Sequence, residues 1–283
     1  MPPQDLNLNA YLARIGLTAA AGPSAALLRA VVARHTATIP FENLDIVLGR
    51  PIRLDLGSIQ AKLVDRRRGG YCFEQNTLLR AALEALGFSV VSLMARVARG
   101  AAADAITPRT HMLLRIDLPE GAFLADAGFG NLTPTAPLAM DRPGAQATGH
   151  EEYRLQPMKD ETLLQVRLGT AWENVYRFSG RPSHPIDHEV GNWYTSTKPD
   201  ALFTANVIAA RPGTKVRKTL FNALVTIRDL DNRPEHLTID SGATLESALR
   251  DHFGIVLDAG EGATVYAAAQ RFGGRPDTGF RLD

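Results

Sequence analysis

The sequence contains one cysteine, Cys72, at a point where local structure could make a thiol reactive. Gly69 and Gly70 precede it, and glycine lets the backbone turn sharply or approach another group closely. Apolar residues then recur at helical spacing until Gly87, which predicts a helix that begins at the cysteine. A thiol in the first helical turn feels the positive end of the helix dipole, which favours the nucleophilic thiolate. The alternative is a buried structural cysteine that packs as a small hydrophobic side chain.

A nucleophilic cysteine needs a base that accepts its proton and a third group that orients the base. Among the seven histidines, His111 is the candidate base because it opens an apolar strand, and Asp126 closes the next strand after a tight turn. We expect Leu118 to pair with Gly121 across this turn. In that register His111 and Asp126 are diagonal neighbours on one face, about 7–8 Å apart at the backbone. A slip of one residue would put them on opposite faces.

A metal site is not expected. His184 and His188 have the spacing of two ligands on a helix, but Pro185 and the surrounding composition indicate a loop. Neither a second cysteine nor a nearby set of acidic residues completes a coordination sphere. A single cysteine also excludes an internal disulfide and fits a reducing compartment.

Composition and charge argue against several classes of function. The chain has 283 residues, of which 45% are hydrophobic and 22% charged, as in ordinary globular proteins. Lys plus Arg total 31 against 30 Asp plus Glu, and this net charge of +1 gives no case for binding nucleic acid or an anionic membrane. The sequence has no apolar run of about 20 residues and no secretory signal, so we expect a cytoplasmic protein.

The elements that would position these residues fall into three stretches. Residues 1 to about 90 are mostly helical in pattern, with helices predicted over 9–15, 25–35 and 56–64, the last capped by Ser58. The following stretch, to about residue 195, has strand-like segments that favour a small barrel: 89–97, 110–116, 122–126, 153–155, 163–168 and 172–178. For the last stretch we predict a helix over 199–211, a hairpin of 218–227 with 236–239, and a helix over 245–253 capped by Thr244.

Three segments in this order and spacing resemble the arylamine N-acetyltransferase family: Arg68–Asn76, Arg109–Leu114 and Asp126–Gly130. Ile39–Leu44 upstream and Asn192–Thr197 downstream also match its pattern. The resemblance covers roughly residues 5 to 211 and weakens after about residue 212. One departure is Ala127, where the family often has valine.

The resemblance implies an α+β fold with a papain-like arrangement of the catalytic core. Its parts would be a helical bundle that carries the nucleophile (1–90), a β-barrel that carries the histidine and aspartate (91–198), and an interdomain helix with an α/β lid (199–283). The implied reaction is ping-pong: acetyl-CoA acetylates the cysteine, CoA leaves, and an arylamine, arylhydrazine or arylhydroxylamine takes the acetyl group. Such chemistry belongs to xenobiotic metabolism.

The resemblance also implies roles for single residues. Cys72 would be the nucleophile, His111 the base and Asp126 the group that orients it. The aromatic substrate would lie against Phe41, Val97, Phe129 and Phe203, and the CoA pantetheine near Thr110, Phe129 and Gly130. Acetyl-CoA would act as a co-substrate, with no permanently bound cofactor.

Alternatives remain open from the sequence. A cysteine hydrolase or amide synthase could use the same triad with water or a tethered amine as acceptor. A catalytically idle acyl- or CoA-binding protein belongs to another class. We also expect Glu42 and Arg68 to form a buried ion pair that ties the helical part to the nucleophile loop.

Overall fold

The computed structural model describes residues 6–18, 22–230 and 233–273. Its first part is a bundle of helices around the helix that begins at Cys72, and Phe73, Leu79 and Leu83 are buried on that helix. Helical periodicity places such side chains towards the core, so the start of the helix is held rigidly. The elements of this part are α1 (Leu8–Ile15), α2 (Ala25–Thr38), β1 (Phe41–Glu42), α3 (Leu44–Val47), α4 (Leu56–Gln60, continued by a π-helical turn over Ala61–Asp65) and α5 (Cys72–Ala85).

The second part is a barrel-like antiparallel sheet. Its strands are β2 (Ser89–Val97), β3 (Arg109–Leu118), β4 (Gly121–Ala125), β5 (Leu138–Ala139), β6 (Gln146–Ala147), β7 (Glu152–Pro157), β8 (Thr162–Leu168) and β9 (Ala171–Phe178). Within the described residues the order of these eight strands is β5-β4-β3-β2-β9-β8-β7-β6. The side-chain amide of Gln146 donates to the Ala139 carbonyl and accepts from the Ala139 N–H, each at 2.9 Å. This pair of hydrogen bonds joins the two terminal strands and nearly closes the barrel.

The register predicted for the β3–β4 hairpin is confirmed. Leu118 pairs with Gly121, and the ladder continues to Leu114 opposite Ala125. The chain leaves the sheet at the next residue, Asp126, on the side where His111 lies. The hairpin therefore delivers both side chains to one place.

The third part is a smaller sheet covered by helices. Helix α6 (Pro185–Thr197) leads to it from the barrel, and the remaining elements are β10 (Ile208–Pro212), β11 (Arg217–Phe221), β12 (Leu224–Arg228), β13 (Pro234–Thr238), α7 (Gly242–Ala248, continued by a π-helical turn over Leu249–Phe253) and α8 (Glu261–Gly273). The strand order is β1-β10-β11-β12-β13. Leu220 and Val225 of the sheet pack against Leu245, Leu249 and Val265 of the helices. Since β1 belongs to this sheet, the α/β lid joins the helical bundle directly.

The connection between barrel and lid differs from the prediction. The helix predicted over 199–211 is wrong, because turns occupy its first half and β10 its second half. Ala209 and Ala210 pair with both β1 and β11, and this strand pairing outweighs the helix propensity of alanine.

A helix lies earlier, as α6, where a loop was predicted around His184 and His188. Pro185 is its first residue, a position that suits proline because the missing N–H has no helical partner there. His188 is buried and its Nε2 lies 2.9 Å from Ser183 Oγ. Among the described residues there is no group of three or more His, Cys, Asp or Glu side chains that could hold a metal ion.

Smaller corrections concern caps and one turn. Asp55, rather than Ser58, caps α4, since its carboxylate accepts from Ser58 N at 2.9 Å. Ser241, rather than Thr244, caps α7 in the same way. The strand predicted over 218–227 is two strands, because Asn222 adopts a left-handed conformation (φ 53°) and turns the chain. No helix in the described ranges is long and apolar enough to cross a membrane.

Candidate active site

Cys72 is the first residue of α5, and its position depends on close packing of the preceding turn. A Cβ atom on Gly69 would overlap the Pro40 carbonyl, and one on Gly70 would lie 2.7 Å from the Glu74 carboxylate. Gly70 N donates to Pro40 O at 3.2 Å, which ties the turn to the segment before β1. The close approach expected of these glycines is therefore confirmed.

His111 and Asp126 are joined by a hydrogen bond. His111 Nε2 lies 2.7 Å from Asp126 Oδ2, and both side chains are buried. Asp126 Oδ1 accepts from Asn76 Nδ2 at 2.9 Å and from Gly128 N at 2.8 Å. Burial opposes ionisation, but the positive charge and hydrogen bond of His111, with those of Asn76 and Gly128, hold the pKa of Asp126 below its usual range. Asp126 is an oriented carboxylate at neutral pH.

Asn76 was not singled out from the sequence, yet it links the elements of the site. Its amide nitrogen also donates to Met112 O at 2.7 Å, and its oxygen accepts from Ala127 N at 3.0 Å. It stands four residues after Cys72, on the same helical face. That i, i+4 spacing was the sequence signal that could have identified Asn76 as a residue of the site.

The electrostatics of Cys72 differ from the expectation based on the helix dipole. Burial raises the pKa of the thiol, and this effect outweighs the hydrogen bonds from the Met112 and Phe73 backbone that lower it. Sγ lies 3.7 Å from Thr110 O, an acceptor for the thiol proton. The helix terminus alone therefore does not make Cys72 a thiolate, and a base must take its proton.

A cavity of about 240 Å³ opens onto Cys72 and His111. Every other residue that the resemblance assigned to substrate or pantetheine lines it: Phe41, Val97, Thr110, Phe129, Gly130 and Phe203. The ring of Phe129 packs edge-on against His111, with centroids 5.0 Å apart, and Phe41 lies 5.8 Å from Phe203. The cavity offers a mostly apolar space beside a thiol and an imidazole.

Other residues of this wall were given no role from the sequence. Tyr194 and Thr195 line the cavity from α6, whose helical structure was not predicted. Gly128 was quoted only as part of a motif. A Cβ atom there would lie 2.6 Å from Cys72 Cα and 3.0 Å from Cys72 O, so only glycine fits beside the cysteine backbone.

The expected ion pair of Glu42 and Arg68 is confirmed, and it belongs to a larger buried network behind the nucleophile loop. Arg68 Nη2 and Nε lie 2.9 and 3.1 Å from Glu42 Oε1. Lys62 Nζ lies 2.8 Å from both Asp45 Oδ2 and Glu74 Oε1. The other oxygen of Glu74 accepts from Tyr71 N at 3.0 Å. The network thus reaches the residue that immediately precedes Cys72.

The chain matches known proteins over most of its length. A family model described as N-acetyltransferase matches residues 25–261. The arylamine N-acetyltransferase of Mycolicibacterium smegmatis is 40% identical over 93% of this chain and 96% of its own length. The chain belongs to the arylamine N-acetyltransferase family.

Further family members agree in sequence and in structure. The arylamine N-acetyltransferase of Escherichia coli K12 is 39% identical, with 91% of this chain and 92% of that protein covered. The structure of the Mycobacterium marinum arylamine N-acetyltransferase in complex with CoA superposes with a TM-score of 0.87, at 38% identity over 93% of this chain and 98% of that chain. The α+β arrangement of bundle, barrel and lid is thus that of the family.

Proposed function

We propose that this protein is an acetyl-CoA-dependent N-acetyltransferase that acts on arylamines, arylhydrazines or arylhydroxylamines through a Cys72 thioester. One observation carries the proposal: His111, which is hydrogen-bonded to Asp126, lines an apolar cavity together with Cys72, the single cysteine of the chain. Family membership and the CoA-bound relative support CoA as the donor.

In the first half-reaction His111 acts as the base. Because Nε2 is bonded to Asp126, Nδ1 is the ring nitrogen that takes the Cys72 proton. The thiolate attacks the carbonyl carbon of acetyl-CoA, the new carbon–Sγ bond forms, and the bond to the CoA sulfur breaks. The imidazolium returns a proton to that sulfur. The N–H of Cys72 has no acceptor within α5, so we assign it as a donor to the oxyanion.

In the second half-reaction an amine replaces CoA. Its nitrogen attacks the acetyl-Cys72 carbonyl while His111 accepts the proton that the amine loses. The carbon–Sγ bond breaks, the amide leaves, and Cys72 regains a proton. Asp126 keeps the imidazole oriented and stabilises its charged form in both halves.

The size of the cavity supports the proposed binding roles. Pockets for drug-sized ligands are about 300–1,000 Å³, so the cavity of about 240 Å³ takes the acetyl–pantetheine end of the donor or one aromatic ring, and not a whole CoA. This size supports a ping-pong reaction in which the two substrates occupy the cavity in turn. We assign Phe41, Val97, Phe129 and Phe203 to the aromatic ring, and Thr110, Phe129 and Gly130 to the pantetheine.

Intact-protein mass spectrometry tests the proposal. The protein is mixed with acetyl-CoA in the absence of amine, and Cys72→Ala serves as the control. We expect one added acetyl group on the wild type and none on the variant, since the chain contains no other cysteine. An unmodified wild type, or equal acetylation of Cys72→Ala, would contradict the proposal. Release of free acetate without amine would instead identify a hydrolase.

A further inference from the structure

Arg217, the first residue of β11, is a fully buried arginine whose guanidinium is bound on all sides. Its Nε donates to Glu151 Oε2 at 2.6 Å. Its Nη1 donates to Asn131 O at 2.6 Å, and its Nη2 donates to Thr133 O at 2.9 Å and to Tyr153 OH at 3.2 Å. The planar fork of arginine suits such simultaneous contacts, which lysine cannot reproduce.

These contacts join the lid to the barrel. Glu151 lies just before β7 of the barrel, and it also accepts from Arg228 Nη2 of β12 at 2.8 Å. Burial disfavours the charged form of Glu151, but the charge of Arg217 and the hydrogen bonds from His150 and Arg217 hold the pKa of this carboxyl below its usual range. The cluster is therefore a compensated ionic contact in which Arg217 neutralises Glu151 and at the same time binds two backbone carbonyls.

The two carbonyls belong to the segment 131–133, which begins in a wall of the cavity. Asn131 lines it together with Phe129 and Gly130, and a short 3₁₀ turn spans Gly130–Leu132. At the other end of this segment, Gly128 N is fixed by the Asp126 carboxylate at 2.8 Å. Phe129 and Gly130 are thus held between the Asp126 contact and the Arg217 contact, and Phe129 packs edge-on against the His111 ring.

We propose that Arg217 is a positioning residue for the acyl-transfer reaction: it fixes the segment 129–133 and, through Phe129, the placement of the His111 ring beside Cys72. The inference rests on the proposed function. Displacement of reacting groups by about 1 Å can cost about a hundredfold in rate. A residue of the lid therefore affects the reaction rate at a site whose triad residues all lie in the other two parts of the molecule.

The test compares Arg217→Met and Arg217→Lys with Arg228→Met. Arg228 binds the same carboxylate, but in the described part of the chain its side chain makes no hydrogen bond to 129–133. We expect both Arg217 variants to form acetyl-Cys72 about 10- to 100-fold more slowly at saturating acetyl-CoA, at a temperature where circular dichroism shows them folded. Arg228→Met should lose thermal stability but acetylate within about threefold of the wild type, because the contacts of Arg217 with Asn131 and Thr133 remain. Arg217→Lys keeps a cation beside Glu151, so the test can still be made with this variant if Arg217→Met does not fold.

A second readout separates this inference from the proposed function. Alkylation of Cys72 by iodoacetamide needs no acetyl-CoA, and its pH profile reports proton transfer between the thiol and His111. We expect the profile of the Arg217 variants to move to higher pH, because a displaced base takes the proton less readily, while Arg228→Met keeps the wild-type profile. If the wild type is not acetylated but these profiles differ as stated, the acetyltransferase function is wrong, while Arg217 still places the His111 ring beside Cys72. Wild-type profiles and acetylation rates in folded Arg217 variants, or equal changes in Arg228→Met, would overturn it.

Discussion

At the scale of single residues, the reactivity of Cys72 depends on proton transfer rather than on its place at a helix start. Burial raises the pKa of the thiol, while Asp126 stays ionised because His111, Asn76 and Gly128 bind it. In this account the nucleophile forms when the imidazole takes the proton, and the buried carboxylate compensates the resulting charge.

Gly128→Ala tests how closely the Asp126 loop must approach the proposed nucleophile. The added methyl group would lie 2.6 Å from Cys72 Cα, so backbone must move. We expect about 1–3 kcal/mol lower stability and a large loss of acetyl-Cys72 formation, measured by urea unfolding and by intact mass. Gly180→Ala is the matched control, because nothing lies within 4 Å of a Cβ atom there. Full activity in Gly128→Ala would show that the contact does not position the cysteine.

Residue types and spacing predicted most of the residues of the candidate site. The spacing of His111 and Asp126 around one tight turn predicts their shared face, and the structure confirms the register and the hydrogen bond. Arg217 could not be predicted, since its partners lie more than 60 residues away in the chain. The raised pKa of Cys72 could not be predicted either, because burial is a property of the folded molecule.

At the scale of elements, a buried chain of side chains links α1, α2 and α5. Tyr11 OH lies 2.8 Å from His35 Nδ1, and His35 Nε2 lies 2.8 Å from Gln75 Oε1. Gln75 Nε2 donates to Pro40 O at 2.7 Å. Since the Gln75 oxygen can only accept, His35 carries its proton on Nε2, and its Nδ1 accepts a hydrogen bond from Tyr11 OH. This arrangement requires a neutral imidazole.

The chain of hydrogen bonds predicts a pH dependence of stability. Burial lowers the pKa of His35 from 6.5 to about 4, so below pH 6.5 the unfolded chain binds a proton that the folded protein does not. Stability therefore falls as the pH falls from 6.5 to 4, by about 3 kcal/mol for this group. We expect His35→Gln to show a shallower decline in the free energy of urea unfolding over that range. Part of the decline in stability should remain in this variant, because the pKa of His188 is also lowered to about 4.

The control for this measurement is His184→Gln, which changes an exposed histidine at the start of α6. It should reproduce the wild-type slope. An unchanged slope in His35→Gln would mean that His35 is not held neutral in the folded protein.

Element prediction succeeded where local pattern and tertiary pairing agree. The strand period and the turn residues identify β2, β3 and β4 within a few residues. The helix prediction for 199–211 was wrong because its alanines suit a helix, while β1, which is far away in sequence, pairs with part of this segment as a strand. Helix α6 was missed because its proline, which begins the helix, was interpreted as a loop signal.

At the scale of the whole molecule, the helical bundle, the barrel and the lid all contribute residues to the cavity. The division at residues 90 and 198 stays a prediction, and β1 shows how closely the parts interlock, since a segment before residue 90 supplies an edge strand of the lid sheet. Beside it, the network of Arg68 and Lys62 ties α3, α4 and α5 to the loop before Cys72.

Arg68→Met tests this network. The change would leave the fully buried Glu42 carboxylate without its closest cation, and loss of one partner of a buried ion pair costs about 3–5 kcal/mol. We expect a correspondingly lower free energy of urea unfolding and slower acetylation, because the turn before Cys72 loosens. Arg53→Met, which changes an exposed arginine 3.7 Å from Asp55, should unfold like the wild type. Unchanged melting of Arg68→Met would contradict the role assigned to the pair.

The most direct test of the central claim is the fate of the acetyl group on isolated acetyl-enzyme. Wild-type protein is acetylated with acetyl-CoA, freed of CoA by gel filtration, and mixed with an arylamine. We expect one acetylated arylamine per acetyl-enzyme and return of the protein to its unmodified mass with the same time course. An acetyl-enzyme that keeps its mass, with product formed only after acetyl-CoA is added back, would contradict transfer through Cys72.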